Sequence, residues 1–259
     1  MYFKTAEGVD LHYRSEGAGQ PLLLIHGLGG STLDWEFQRS FLSGRFHLIL
    51  ADLRGHGRSG RPTTGYTIPS FASDTAALLT SLSLPPTHVV GISLGGMVAF
   101  QLALDCPHLV SSLVIVNSLP GLPSGSLRQH WELGQRLLVT RLLGMGWMAR
   151  VLAKRLFPKE GQKGLRELFE RRWAANDPRV YTATLLGLKG WSVLERLSSL
   201  TAPTLVVAGE RDFIPLAFKQ AYAKRIREGR LAVIGDSGHA TPVDQPAAFN
   251  TLLAEFLCC

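Results

Sequence analysis

The stretch Gly91-Ile92-Ser93-Leu94-Gly95-Gly96 constrains this chain more than any other. It follows Thr87-His88-Val89-Val90, which reads as a buried strand, and leads into Met97 to Ala103, which reads as the start of a helix. A serine held between a strand and a helix needs a sharp turn with small residues on both sides, and Gly91, Gly95 and Gly96 supply that room. The helix N-terminus behind Ser93 adds backbone N–H groups and partial positive charge where negative charge would develop. For the pentapeptide alone an ordinary glycine-rich turn is an equal reading. A strand before it and a helix after it favour a nucleophile on an elbow.

Strands and helices alternate around this turn. Tyr2 to Ser15 alternates about Glu7-Gly8-Val9-Asp10 and reads as a hairpin. Pro21 to Ile25 is a continuous apolar run, the pattern of a strand buried on both faces, and it ends at His26-Gly27-Leu28-Gly29-Gly30. Ser31 is placed to cap a helix to about Leu42. Phe46 to Ala51 is the next strand, closed by Asp52-Leu53-Arg54-Gly55-His56-Gly57-Arg58-Ser59, and a helix from about Ile68 to Leu82 follows. After the elbow come a helix to Asp105 and the strand Leu113 to Val116. The alternation stops at Leu119 and resumes at Thr204 to Gly209, with a helix from Pro215, a strand Leu231 to Ile234 and a last helix from about Pro242.

The expected fold is therefore α/β: a mostly parallel eight-stranded sheet with helices on both faces. Residues 1–118 and 199–259 form the core, and 119–198 form an inserted helical cap. Within the insertion Leu127, Trp131, Leu138, Leu142 and Met145 recur near helical spacing, with Gly144 and Gly146 as breaks; Leu165, Leu168, Phe169 and Trp173 mark another helix, and Asp177-Pro178 a third start. So short a segment cannot bury all of its apolar side chains within itself. Many should face the core and line an apolar pocket, with Trp131, Met145, Trp147 and Trp173 as the candidates.

The net charge of +7 is unevenly distributed. Residues 119–198 hold 14 Lys and Arg against 6 Asp and Glu, whereas the remainder holds 13 against 14. No helix-turn-helix, zinc or RNA-binding signature accompanies the excess, so no nucleic-acid partner is expected. A solvated helical face is the default reading, and attraction of an anionic substrate or surface is the sharper one. No apolar run approaches the roughly 20 residues of a membrane span, so no stable membrane insertion is expected. The N-terminal residues show neither the basic nor the apolar region of a secretory signal, and three cysteines, two of them adjacent at Cys258 and Cys259, form no disulfide framework. A cytoplasmic location fits these features. The oligomeric state is left open.

A serine needs a base to take its proton and a carboxylate to orient that base. In a parallel sheet these must come from loops at the C-terminal ends of strands. His239, in Asp236-Ser237-Gly238-His239-Ala240, lies between the last strand and the last helix and is the outstanding base. His26 and His56 sit in glycine-rich turns and read as braces. Asp212, in Gly209-Glu210-Arg211-Asp212, is the candidate acid, with Glu210 as its competitor and Asp236 more distant; Asp52 is better placed to brace the Arg54-to-Ser59 loop. Two N–H donors are needed for an oxyanion, and Leu28 and Leu94 are the candidates. No Lys-Ser/Thr pair follows His26-Gly27-Leu28-Gly29-Gly30, and no histidine-carboxylate set has ligand spacing, so neither cofactor nor metal is expected.

Taken together, Ile25 to Gly30, Asp52 to Ser59, Gly91 to Gly96 and Gly238-His239 resemble the α/β-hydrolase superfamily, in the branch with a short helical cap. The resemblance implies a Ser93–Asp212–His239 triad with Leu28 and Leu94 as oxyanion donors. The motifs are similar to those of 3-oxoadipate enol-lactonases, small carboxylesterases and cofactor-free haloperoxidases. Haloalkane dehalogenases and epoxide hydrolases of this fold carry an aspartate where this chain has Ser93. C–C bond hydrolases usually carry a tryptophan where it has Ala240. The leading expectation is hydrolysis of a small carboxylic ester or lactone through an acyl-enzyme on Ser93. A small-molecule receptor on a hydrolase fold and a C–C bond hydrolase are the alternatives.

Overall fold

The computed structural model describes residues 1–121 and 127–258, with side chains described for all of these except 127–133. The described residues form eight strands, numbered in chain order: β1 (Tyr2–Lys4), β2 (Asp10–Glu16), β3 (Pro21–Ile25), β4 (His47–Ala51), β5 (Thr87–Ile92), β6 (Val110–Val116), β7 (Thr204–Gly209) and β8 (Gly229–Ile234). They form one sheet in the order β1-β2-β4-β3-β5-β6-β7-β8, with β2 antiparallel to both its neighbours and every other pair parallel.

Side-chain alternation explains the two cores. Leu23, Ile25, Ile49, Val89, Leu113, Ile115 and Val206 point to one face, and their chain neighbours Leu22, Leu24, Leu48, Leu50, Val90, Val114, Val116 and Val207 to the other. Both faces are covered, so the central strands are apolar throughout. On the first face lie α2 (Ile68–Ser81), α3 (Leu94–Asp105) and α7 (Leu216–Ala223). On the second lie α1 (Glu36–Ser43) and α9 (Pro246–Leu257), preceded by the short α8 (Thr241–Asp244). The helix expected from Ser31 to Leu42 is two pieces, a 3₁₀ turn Thr32–Trp35 and then α1, and Ser31 accepts the Leu33 N–H at the start of the first.

Between β6 and β7 the chain leaves the sheet for α4 (Leu127–Leu156), α5 (Lys163–Ala174) and α6 (Pro178–Gly187). Gly144, with φ 75° and ψ 179°, breaks α4 into two runs. Specific contacts tie these helices to the core. Asn176 donates to the Gly29 carbonyl (2.8 Å), and Arg172 donates to the Leu33 carbonyl (3.2 Å) and to Glu36 (2.9 Å). Among the described residues, no helix is long and apolar enough to cross a membrane.

The loop after β4 is fixed by buried charge. Arg54 makes two 2.6 Å hydrogen bonds to Asp74 on α2 and a 2.8 Å bond to the exposed Glu7. Asp52 accepts from the Thr32 N–H (2.6 Å), the Arg58 N–H (3.0 Å) and His12 Nδ1 (2.8 Å). Asp74→Ala leaves a guanidinium that is 2% exposed facing only a solvent-exposed glutamate. The expected loss, read by chemical denaturation, is about 3–5 kcal/mol.

Candidate active site

All the parallel strands end on one edge of the sheet. The loops after β3, β5, β6, β7 and β8 therefore bring Leu28, Ser93, Asn117, Asp212 and His239 to one end of the molecule. Ser93 links β5 to α3 with φ 54° and ψ −116°, a conformation that L-residues rarely adopt and that surrounding structure must enforce. Its N–H donates to Val116 O (2.9 Å), and Ser118 Oγ donates to Ser93 O (2.6 Å). The flanking glycines are required by contact. A Cβ on Gly91 would stand 2.2 Å from Gly95 O, and one on Gly95 would stand 2.2 Å from Ile25 O. Glycine alone lets the elbow pack directly against the end of β3.

His239 and Asp212 meet across the ends of β7 and β8. His239 Nδ1 lies 2.7 Å from Asp212 Oδ1, and the Asp212 side chain is 1% exposed. Burial acts to raise the Asp212 carboxyl, but the hydrogen bond from His239 and the nearby charges of His239 and Lys219 outweigh it and hold the carboxyl below the usual range. Glu210, the competitor, is exposed and accepts the Asp236 N–H (2.9 Å). Phe213 stacks on the His239 ring, centroids 4.1 Å apart and 26° between planes, and the Arg155 guanidinium lies 4.4 Å from the Phe213 centroid.

Ser93 and His239 line a single cavity of about 730 Å³, together with Leu28, Leu94 and apolar residues of both the core and the insertion, among them Leu152, Leu156, Leu185, Ile214 and Val243. Leu94 is the first residue of α3, so its N–H has no acceptor within the helix. Leu28 lines the same cavity from the turn after β3. Its neighbour Gly27 comes close to the serine: a Cβ there would be 3.5 Å from the Ser93 Cβ.

The four expected pocket residues separate. Trp173 lines the cavity and packs edge-on to Phe169 with centroids 5.2 Å apart. Met145 is buried but stands away from the cavity, in a cluster with Met148, Tyr181 and Leu185 against which Leu28 packs. Trp147 faces solvent, 52% exposed, with Arg150 over its ring. Both are corrections: residues two apart on a helix point about 200° apart, so the turn that buries Met145 in this cluster directs Trp147 to solvent. The Trp131 side chain lies outside the described residues. Trp173→Ala should therefore cost about 3–5 kcal/mol and raise KM, while Trp147→Ala should cost about 1 kcal/mol or less and leave the kinetics unchanged. Denaturation and steady-state rates on the two variants check this.

His26 and His56 act as braces. His26 Nε2 accepts the Leu53 N–H (3.1 Å), and His56 Nδ1 lies 3.0 Å from Arg54 O. Burial pushes His56 down to about 3, so it stays neutral. Several side chains near the site were not anticipated. Asn117 joins the loops of β7 and β8, Lys219 on α7 pairs with Asp212, and Arg155 lines the cavity from α4. The one available signal was for Lys219, which shares the buried stripe of α7 with Tyr222 and Ala223. Asp34 also lines the cavity, its carboxyl pushed up to about 7 by burial. Among the described residues, no group of three His, Cys, Asp or Glu is placed to hold a metal ion.

Comparison with known proteins agrees with this architecture. The family model for the alpha/beta hydrolase fold matches residues 20–246. The chain is 34% identical to the putative carbamate hydrolase RutD of Azorhizobium caulinodans, over 99% of this chain and 98% of that protein. It is 29% identical to 3-oxoadipate enol-lactonase 2 of Acinetobacter baylyi, over 95% and 92%. A thermophilic esterase from Thermogutta terrifontis, solved with malate bound, superposes with a TM-score of 0.90 at 27% identity, over 100% and 98% of the two chains. The chain belongs to the α/β-hydrolase family, and it is a hydrolase.

Proposed function

We propose that the protein hydrolyses a small carboxylic ester or lactone through an acyl-enzyme on Ser93, with residues 119–198 acting as a cap over the site. The observation that carries this reading is the 2.7 Å hydrogen bond from His239 to a buried Asp212, with His239 opening onto the same cavity as a serine on a strained elbow. His239 takes the Ser93 hydroxyl proton as the oxygen attacks the substrate carbonyl. The Leu28 and Leu94 N–H groups receive the oxyanion. Collapse of the tetrahedral intermediate expels the alkoxide, which leaves with the proton from His239. Water, deprotonated by the same imidazole, then releases the carboxylic acid and restores Ser93. In a lactone the leaving alkoxide stays attached to the acyl group, and the product is one hydroxy acid. The largely apolar cavity suits an acyl chain, and the relatives named as a lactonase and an esterase support this class.

A panel of esters, lactones, carbamates and dienones, with multiple-turnover kinetics and fluorophosphonate labelling, tests the proposal. Turnover of an ester or lactone together with a label on Ser93 is expected. A label on another residue, or fast turnover confined to dienones or carbamates, would overturn it. Stoichiometric binding without turnover would return the receptor reading.

A further inference from the structure

Behind the acid of the site lies a buried lysine that ester cleavage does not require. Lys219 on α7 is fully buried, and its Nζ donates to Asp212 Oδ2 and to Asn117 Oδ1 (2.9 Å). Asn117 follows β6 in a left-handed conformation, φ 44°. Its Oδ1 also accepts the Gly209 N–H (2.8 Å), and its Nδ2 donates to the carbonyls of Gly238 (3.0 Å) and His239 (2.9 Å). One amide thus holds both the lysine and the histidine loop, and the two oxygens of Asp212 are divided between a histidine and a lysine. A carboxylate held this way cannot rotate, and part of its charge is already offset before His239 acquires a proton.

The other charged and titratable groups around the pair are otherwise engaged. Lys159 and Arg211 both pair with the exposed Asp236, whose N–H is taken by Glu210. Asp244 accepts the Gly238 N–H (2.6 Å), Arg155 lies over Phe213, and the buried Tyr222 hydroxyl donates to Ser118 O (3.0 Å). Among the described residues, only Lys219 and His239 form ion pairs with Asp212.

We propose that Lys219 is a positioning residue that sets the acid limit of catalysis: its ammonium shares the Asp212 carboxylate with His239 and offsets part of the charge that would otherwise stabilise an imidazolium. A cation beside the pair disfavours the imidazolium, and removing it favours the imidazolium. Burial pushes the lysine down from its ordinary value while Asp212 opposes the shift. The proposal rests on the Ser93, His239 and Asp212 assignment made above.

The test is the pH profile of kcat/KM for Lys219→Met and Lys219→Gln beside the unaltered enzyme. Both variants should move the midpoint of the acid limb up by about 1–3 pH units, with KM on the plateau unchanged. Glutamine keeps a donor toward Asp212 but carries no charge. If it restores the original acid limb while methionine does not, the lysine acts only as a hydrogen-bond donor and the proposal fails. An unshifted limb in both variants also overturns it. Nitrogen-15 NMR of lysine side chains in the unaltered protein tests the same idea without a folded variant: Lys219 must be an ammonium at pH 7, and a neutral amine there overturns the proposal. Absence of any ester or lactone turnover by the unaltered enzyme would instead fail the underlying assignment.

Discussion

Ser93→Ala should reduce kcat on any ester or lactone substrate by on the order of 10³-fold or more, with the melting temperature unchanged. The reason lies in what holds the elbow. The hydrogen bonds that fix it, Ser93 N–H to Val116 O and, to Ser93 O, those from Ser118 Oγ and the Gly96 and Met97 N–H groups, use the backbone of residue 93 and not its side chain. Alanine adopts the same positive φ at the same cost as serine, so the turn, the glycine contacts and the Leu94 N–H stay where they are. The substitution removes one oxygen from the cavity wall and nothing from the fold. Fluorophosphonate labelling should vanish together with the activity. A variant that keeps most of its activity would remove Ser93 from the chemistry, and one that loses activity together with its cooperative melt would show that the hydroxyl is structural.

The contrast between what the sequence reveals about this site and what it hides has physical causes. Ser93, Asp212 and His239 are legible because each follows an apolar strand and precedes a helix, and a parallel sheet gathers such loops at one edge. The sheet is legible for the same reason: runs such as Pro21 to Ile25 are buried on both faces and leave no polar alternation to confuse them. The insertion is harder to read. The break at Gly144 resets the helical phase, so apolar residues on either side of it do not extend one stripe, and Trp147 ends in solvent. Lys219 is hidden by a general expectation, that lysines sit outside, which an ion pair with a buried aspartate overrides. Asn117 carries no local signal, since its partners lie about 90 residues or more further along the chain.

Asp212→Asn should lower kcat by about 10³–10⁴-fold with little change in substrate binding, and the buried lysine makes the direction of failure specific. Lys219 offers donors and no acceptor. The amide that replaces Asp212 must therefore turn its oxygen to Lys219 and its NH₂ group to His239. His239 Nδ1 then has to accept, which moves the ring proton to Nε2, the nitrogen that in the proposed mechanism takes the Ser93 proton. The variant is locked in the wrong tautomer and also lacks the charge that stabilises an imidazolium. Glu210→Gln, by contrast, alters an exposed side chain that only accepts the Asp236 N–H, and its rates should stay within a few-fold of the unaltered enzyme. Steady-state kinetics on the two variants, with nitrogen-15 NMR of the His239 ring to read the tautomer, distinguish these outcomes. A large loss in Glu210→Gln with a small one in Asp212→Asn would move the acid to Glu210. A large loss in Asp212→Asn with the proton still on Nδ1 would mean that the missing charge, and not the tautomer, accounts for the effect.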